Sequence, residues 1–245
     1  MLASNSIDIM NIFSAIKKNI PNTITCLNLL CGSIACIMAL RFDEQVWWGI
    51  CAYQAAFIMI ALAALFDFFD GLVARLLNVV SAIGKELDSL CDCVSFGLAP
   101  GLLVYAAMNY ADPDSALCYA ALLIPVLGAV RLANFNVDTR QTTSFIGMPI
   151  PANAIFWIGF TNFYAEHHAD VPVLVVAVLV VALSLLMVCN LRMFSLKLHS
   201  LSVKENYKQY LLVLAFVICV GFCGVTGLAW AMLFYIVLSA VTKQD

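Results

Sequence analysis

Long apolar runs separated by short polar stretches dominate the chain. Eight can be marked, at 20–40, 46–66, 88–108, 115–134, 149–165, 171–190, 209–224 and 226–242. An α-helix needs about 20 apolar residues to cross a hydrocarbon core. The pattern therefore predicts an all-α polytopic membrane protein with about eight transmembrane helices. In a seven-span alternative the last two runs form one broken element. The longest polar stretches, about 135–147 and 191–208, are too short to be separate soluble domains. There is no internal repeat of the kind that marks many transporters. The chain divides into an N-terminal segment, 1–19, and a single transmembrane domain, 20–245. Within the first, residues 7–19 alternate apolar and polar side chains at helical spacing. They predict an interfacial helix with Lys17 and Lys18 toward headgroups, or else a solvated leader to the first span. Asp8, with no small-residue cleavage site after a short apolar core, speaks against a cleavable signal peptide.

Composition agrees with the pattern. Of 245 residues, 64% are hydrophobic and 11% charged, and the mean hydropathy is +0.98. A soluble domain carries about 25% charged residues. The net charge of −3 is less informative than where the cations fall, and no nucleic-acid partner is expected. With eight spans both termini share one side. Lys17, Lys18, Arg75, Lys85, Arg131, Arg140, Arg192, Lys197, Lys204, Lys208 and Lys243 then all fall on that side, and Arg41 alone on the other. The positive-inside rule puts the termini at the cytoplasmic face, the expected membrane being a prokaryotic inner membrane. The outer loops are short, and His167 and His168 read as exposed loop residues rather than ligands. Nearly all ten cysteines lie inside apolar runs, where Cys packs as a small apolar residue rather than building a disulfide framework. Cys91-Asp92-Cys93 could be a soft-metal site, but its aspartate neighbours favour hard ions.

The candidate chemistry lies at the junction of the second and third runs. Asp67, Asp70, Gly71, Ala74 and Arg75 form D-x-x-D-G-x-x-A-R; after eight intervening residues Gly84, Asp88 and Asp92 form G-x-x-x-D-x-x-x-D. Carboxylates beside a bilayer are expensive and mark function. Spacings of three and four put each pair on one helical face, and two such faces can converge on hard divalent cations. Without cations, four carboxylates in one place would raise one another's pKa values. Two bridged ions would clamp phosphate oxygens. Gly71, Ala74 and Gly84 leave room for a nucleotide or another helix close to the backbone, and Arg75 offers a planar fork for phosphate.

The stretch Asp67–Asp92 resembles the full signature of the CDP-alcohol phosphatidyltransferase family, with no departure at a defining position. The resemblance implies a magnesium- or manganese-dependent membrane enzyme, with calcium as a further occupant. It would move a phosphatidyl group from a CDP-linked lipid to an alcohol and release CMP. It also implies that Asp67, Asp70, Asp88 and Asp92 hold two metal ions, that Asp92 is the proton acceptor, and that Gly71, Arg75 and Ser81 contact the CDP-lipid. A six-span family core would here be extended by two C-terminal helices, in a single catalytic domain. A homodimer is expected from the resemblance and from Gly221, Gly224 and Gly227, which could equally pack within one chain.

Further segments resemble the phosphatidylserine synthase branch of that family. They are Pro21-Asn22-Thr23-Ile24-Thr25 with Asn28 and Gly32; Ser95 to Pro100; Arg131 to Asn136 followed by Gly147 to Ala152; and Asn190-Leu191-Arg192 with Ser195 and Lys197. The resemblance covers roughly residues 19–200. Asn134 stands where Arg is expected, and Met148 where Leu is. The implied substrates are CDP-diacylglycerol and L-serine, among membrane lipids. Serine needs a cation for its carboxylate and acceptors for its ammonium. Arg131, Arg192 and Lys197, with Asn136 near the first, are candidates for serine or a lipid phosphate, or are positive-inside anchors. Asn22, Thr25 and Asn28 recur at three-residue spacing, and face either the nucleotide or a neighbouring helix. Within the family the alternatives are glycerol phosphate or inositol phosphate as acceptor. Outside it the alternative is a divalent-cation transporter, disfavoured because the carboxylates cluster near one face and leave no polar path.

Overall fold

The computed structural model describes residues 2–79, 82–138, 144–168, 170–194 and 206–242, with side chains from residue 19 onward except at 48, 82, 144 and 145. Helices account for most of it. In chain order they are α1 (Leu2–Leu40), α2 (Ala52–Leu76), α3 (Ala82–Asp92), α4 (Ala99–Ala111), α5 (Leu123–Val137), α6 (Ile150–His167), α7 (Val173–Val188), α8 (Tyr207–Cys223) and α9 (Gly227–Val241). A π-helical turn, Cys93–Leu98, joins α3 to α4, and 3-10 turns precede α5 and α9. Two three-residue strands, β1 (Ser144–Ile146) and β2 (Arg192–Phe194), pair antiparallel with Ile146 opposite Arg192.

Each apolar run falls on a helical segment, but helices and runs differ in extent. α2 continues past the end of its run at 66 to Leu76, and α3 starts before its run at 88. Both extensions carry the polar residues of the aspartate signature. Helical hydrogen bonds continue wherever the backbone is unobstructed, so loss of apolarity does not end a helix. Likewise α1 is one helix through the 1–19 segment and Pro21.

Five stretches among the described residues are long and apolar enough to cross a membrane: Asn19–Leu40, Ala52–Leu76, Ile83–Ala111, Ala116–Val137 and Tyr207–Val241. α7 is apolar but shorter. α6 is made more polar by Asn153, Thr161 and Asn162, and it is the most enclosed helix, with Asn153 and Trp157 both fully buried. The last stretch folds back on itself. Gly224 has φ 58°, and a Cβ on Gly227 would lie 2.1 Å from the Cys219 carbonyl oxygen, so α9 returns against α8.

Two kinds of contact set the helices that matter for the site. Ala35 and Ala39 of α1 and Ala52, Ala55, Ala56 and Ala63 of α2 are all fully buried. In lipid, where apolar side chains gain little by leaving their solvent, such small residues let helices pack closely. α1 also meets the π turn. A Cβ on Gly32 would lie 2.1 Å from Ser95 Oγ and 2.8 Å from Ser95 Cα, so only glycine fits this crossing. Large apolar side chains such as Ile58, Leu65, Val178, Val217 and Phe222 point outward, as lipid-facing surface does. The structure is that of an all-α polytopic membrane protein.

The crossing gives a test. Gly32→Ala should cost roughly 1–3 kcal/mol, the usual cost of overpacking, and lower the thermal midpoint of the purified protein. Val178→Ala, at an outward-facing position 60% exposed, should change it much less. Equal midpoints for the two variants would show that the crossing is not tight.

Candidate active site

The end of α2 carries Asp67 and Asp70, and α3 carries Asp88 and Asp92. α2 ends at Leu76, and two residues on Asn78 has φ 51°, the left-handed conformation Asn tolerates. Carboxylate oxygens of Asp67, Asp70 and Asp88 lie within 4.8 Å of one another. Asp92, one turn further along α3, stands outside this trio.

α1 closes the third side. Asn28, fully buried, donates from Nδ2 to Asp92 Oδ1 over 3.5 Å, while its backbone carbonyl accepts the Ser95 hydroxyl at 3.1 Å. One turn earlier Thr25 stands beside Asp70 and donates to the Pro21 carbonyl at 3.1 Å. The polar spacing along α1 is thus explained in two ways: Asn28 bonds across to a neighbouring helix, and Asn22 and Thr25 face a cavity.

Whether a divalent cation suits this place can be judged from the donors themselves. All are hard carboxylate oxygens, the ligand type of magnesium, manganese and calcium. Asp70 Oδ2 is buried with no hydrogen-bond partner among the described residues. A buried oxygen carrying charge is costly unless a cation or donor meets it. The residues fit a divalent metal, and the arrangement does not choose among ions.

Two cavities flank the carboxylates. One, of about 230 Å³, is lined by Asn22 and Thr25 of α1, Asp70, Gly71 and Ala74 of α2, and Gly84, Lys85 and Asp88 around α3. It gathers five of the seven residues expected to touch a CDP-lipid. The other, of about 240 Å³, is lined by Lys85, Asp88, Ser89 and Asp92 on one side and by Arg131, Phe135, Asn136 and Pro149 to Pro151 on the other. Lys85 and Asp88 line both cavities. Asp70 lines the first alone and Asp92 the second alone.

The remaining expected residues scatter. Arg75 is exposed and donates from Nε to the Gly71 carbonyl at 2.9 Å, folded along its own helix rather than into either cavity. Arg131 is 6% exposed, with its guanidinium over the Phe135 ring at 5.9 Å. It also borders a third cavity, of about 430 Å³, with Asn134, Asp138, Ile146, Met187 and Asn190. Although larger than the two beside the carboxylates, this space holds only Arg131 and Phe135 in common with the second cavity, and the carboxylates mark the chemistry. Arg192 is exposed on β2, near the third cavity but not in its wall. Ser81 and Lys197 lie outside the described residues. Met148 is fully buried, a packing position that accepts either Met or Leu.

Three features were not foreseen. Lys85 lies at the junction of the two cavities, although in sequence it reads only as one more cation. Ser89 accepts a hydrogen bond from Asn136 Nδ2 at 2.8 Å and so links α3 to α5. The π turn follows directly on Asp92 and buries Ser95, Phe96 and Gly97. Such turns have no strong sequence signal, and they concentrate at functional sites.

Comparison with known proteins agrees with this geometry. The family model described as CDP-alcohol phosphatidyltransferase matches residues 18–188. A CDP-diacylglycerol–serine O-phosphatidyltransferase of Bacillus subtilis is 41% identical over 133 residues, 54% of this chain and 69% of the relative. A protein of the same name from Methanocaldococcus jannaschii is 37% identical over 141 residues, 58% of this chain and 59% of the relative. An archaetidylserine synthase of Methanothermobacter thermautotrophicus is 34% identical over 163 residues, 65% of each. The matched stretch thus spans less than two thirds of the latter two relatives. These are relatives of the branch that the outlying segments resemble. With the family model covering well over half of the sequence and the aspartate signature complete, the chain belongs to the CDP-alcohol phosphatidyltransferase family.

Proposed function

We propose that the chain transfers the phosphatidyl group of CDP-diacylglycerol to the hydroxyl of L-serine, giving phosphatidylserine and CMP. One observation carries the reading: two cavities meet at Asp88 and Lys85, with Asp92 facing only the cavity that also holds Arg131 and Asn136. A donor on one side and an acceptor on the other would meet at the carboxylates, and a base is needed only on the acceptor side. The names of the relatives support serine as the acceptor.

In this reading the donor headgroup lies in the first cavity. Gly71, Ala74 and Gly84 keep its wall low, Asn22 and Thr25 offer hydrogen bonds, and Arg75 and Ser81 complete the contacts that the family resemblance implies. Asp67, Asp70, Asp88 and Asp92 hold two divalent ions, magnesium or manganese with calcium as another occupant, which when bound neutralise charge on the pyrophosphate and on departing CMP. Arg131 takes the serine carboxylate in a two-pronged contact, with Asn136 beside it; Arg192 and Lys197 serve as further anion contacts. The serine oxygen attacks the phosphorus that bears diacylglycerol, the bond from that phosphorus to the CMP oxygen breaks, and Asp92 takes the hydroxyl proton. Attack is direct: Ser89, which shares a cavity with Asp88 and Asp92, gives its proton to the Lys85 carbonyl rather than to a carboxylate base.

Residues 1–19 act as an interfacial segment and 20–245 as the single catalytic domain. The protein sits in a prokaryotic inner membrane with active site and termini cytoplasmic, as the lysine and arginine placement favours. It works as a homodimer. Gly221, where added bulk meets nothing, is open to such a contact, whereas Gly227 is taken up within the α8–α9 turn.

Three outcomes test the reading, each by following CMP release from CDP-diacylglycerol with purified protein and manganese. Asp67→Asn, Asp70→Asn and Asp88→Asn should each reduce turnover by at least about a hundredfold while the protein still folds, because an amide lacks the charge a divalent site requires. Near-normal turnover in one of them would remove that residue from the metal set.

Asp92→Asn should eliminate turnover but keep CDP-lipid binding within a few-fold of the unchanged protein. Loss of nucleotide binding would make Asp92 chiefly a ligand and leave the proton without an acceptor.

Arg131→Lys should raise the KM for serine more than about tenfold, since an ammonium does not reproduce a guanidinium fork, and change CDP-lipid affinity much less. If the unchanged protein releases CMP with glycerol phosphate and not with serine, the acceptor is wrong while the family stands.

A further inference from the structure

Lys85 has no role in the proposed reaction, yet its position is singular. It follows Gly84 at the start of α3, is exposed, and lines both cavities. Its Nζ donates to the backbone carbonyl of Asn136 at 3.0 Å. That carbonyl lies in the last turn of α5, which ends at Val137, where helix carbonyls lack partners within the helix and favour a cation. The Asn136 side chain reaches back to Ser89 Oγ at 2.8 Å, and Ser89 Oγ lies 3.3 Å from the Lys85 carbonyl, to which it donates. The ammonium is therefore held in place from the acceptor side by a closed ring of three contacts. It has three N–H donors, and the Asn136 carbonyl takes one.

We propose that Lys85 is a substrate-binding residue at the junction of the two cavities, directing its remaining N–H groups to an anionic oxygen of the bound substrates. The chemistry is that of a phosphate or carboxylate oxygen. The donor's pyrophosphate and the acceptor's carboxylate both supply it, one from each cavity. The argument is electrostatic and geometric. Four carboxylates surround the junction, so each anionic substrate enters against a negative field. Resident metal ions answer part of that field, and a fixed ammonium at the shared wall answers more. Arg131 can serve only the second cavity, and Arg75 is turned along its own helix. Among the described residues, Lys85 is the cation that borders both spaces. The inference rests on the donor–acceptor reading above.

The test compares Lys85→Met, Lys85→Arg and Ser89→Ala in the full-length protein. KM for CDP-diacylglycerol and for the acceptor alcohol are measured from CMP release, and binding of soluble CDP with manganese is measured by calorimetry. Lys85→Met should raise at least one KM by about tenfold or more, the size of one hydrogen bond to a charged group. Lys85→Arg should recover most of the loss. A rise in the donor KM together with weaker CDP binding identifies phosphate as the partner; a rise in the acceptor KM alone identifies the carboxylate. Ser89→Ala breaks the ring but keeps the ammonium; since Ser89 itself lines the acceptor cavity and not the donor cavity, its readouts are the donor KM and CDP binding, which should change less than about threefold. The proposal is overturned if Lys85→Met leaves both KM values and CDP binding within about twofold, or if Ser89→Ala reproduces its loss in those two readouts, since Lys85 would then only fasten α5 to α3. Should Lys85→Met fail to fold, Lys85→Gln replaces it under the same criteria. CDP binding involves no acceptor, so failure of serine as substrate leaves that arm intact, and any alcohol found to release CMP replaces serine in the other.

Discussion

Mutual repulsion among the carboxylates at the α2–α3 junction constrains everything around it. Two unit charges 4 Å apart repel by about 4 kcal/mol at an effective dielectric of 20. The trio Asp67, Asp70 and Asp88 contains three such pairs, and Asp92 approaches from the next turn. Left to itself this end of the bundle would splay. It is held by contacts elsewhere: the buried alanines between α1 and α2, the glycine-only crossing of Gly32 over Ser95, and Asn28 bonded to both Asp92 and Ser95. The apolar part of the helices thus fixes the geometry of the polar part. A hard dication is the counterweight that such a cluster of carboxylate oxygens suits.

The same contacts divide the space around the acids. α1 and α2 bound one cavity, and α5 with the start of α6 bounds the other. α3 runs between them and contributes to both. A helix has distinct faces, so one turn of α3 can present Lys85 and Asp88 to both spaces and Asp92 to one. The π turn after Asp92 adds to this. A wider turn shifts the helix register, and it comes where Ser95 must face α1 while Asp92 faces the second cavity. A transferase that brings two substrates to one phosphorus needs this division; a cation pathway does not.

Some of this was legible in the sequence and some was not. Spacings of three and four, read on a helix, put Asp67 with Asp70 and Asp88 with Asp92 on one face each, and the same logic pairs Gly71 with Ala74 and Asn22 with Thr25; bringing the faces together takes tertiary packing, but the pairings do not. These are local patterns, whose outcome depends on helical periodicity alone. Arg75 fails where that logic stops, because a long side chain can turn back to its own Gly71 carbonyl. The contacts of Lys85 and Asn136 join residues 51 apart, and no periodicity encodes them. The extents of α2 and α3 were missed for a related reason: hydropathy marks where a membrane ends, whereas backbone hydrogen bonding decides where a helix ends. The polar α6 shows the reverse. Its Asn153 and Thr161 weaken the apolar signal because the helix is enclosed by other helices rather than by lipid.

Arg131 shows how burial and charge together define a role. A guanidinium 6% exposed at the end of an apolar helix is expensive there. An anchor that follows the positive-inside rule gains by reaching headgroups and water, and Lys or Arg near a helix end ordinarily extends outward to do so. Arg131 does not. It lies over Phe135 and faces the cavity that contains Asp88 and Asp92. The carboxylates that line the same cavity offset part of its cost. Exposure, rather than sequence position, separates Arg131 from the exposed Arg75 and Arg192.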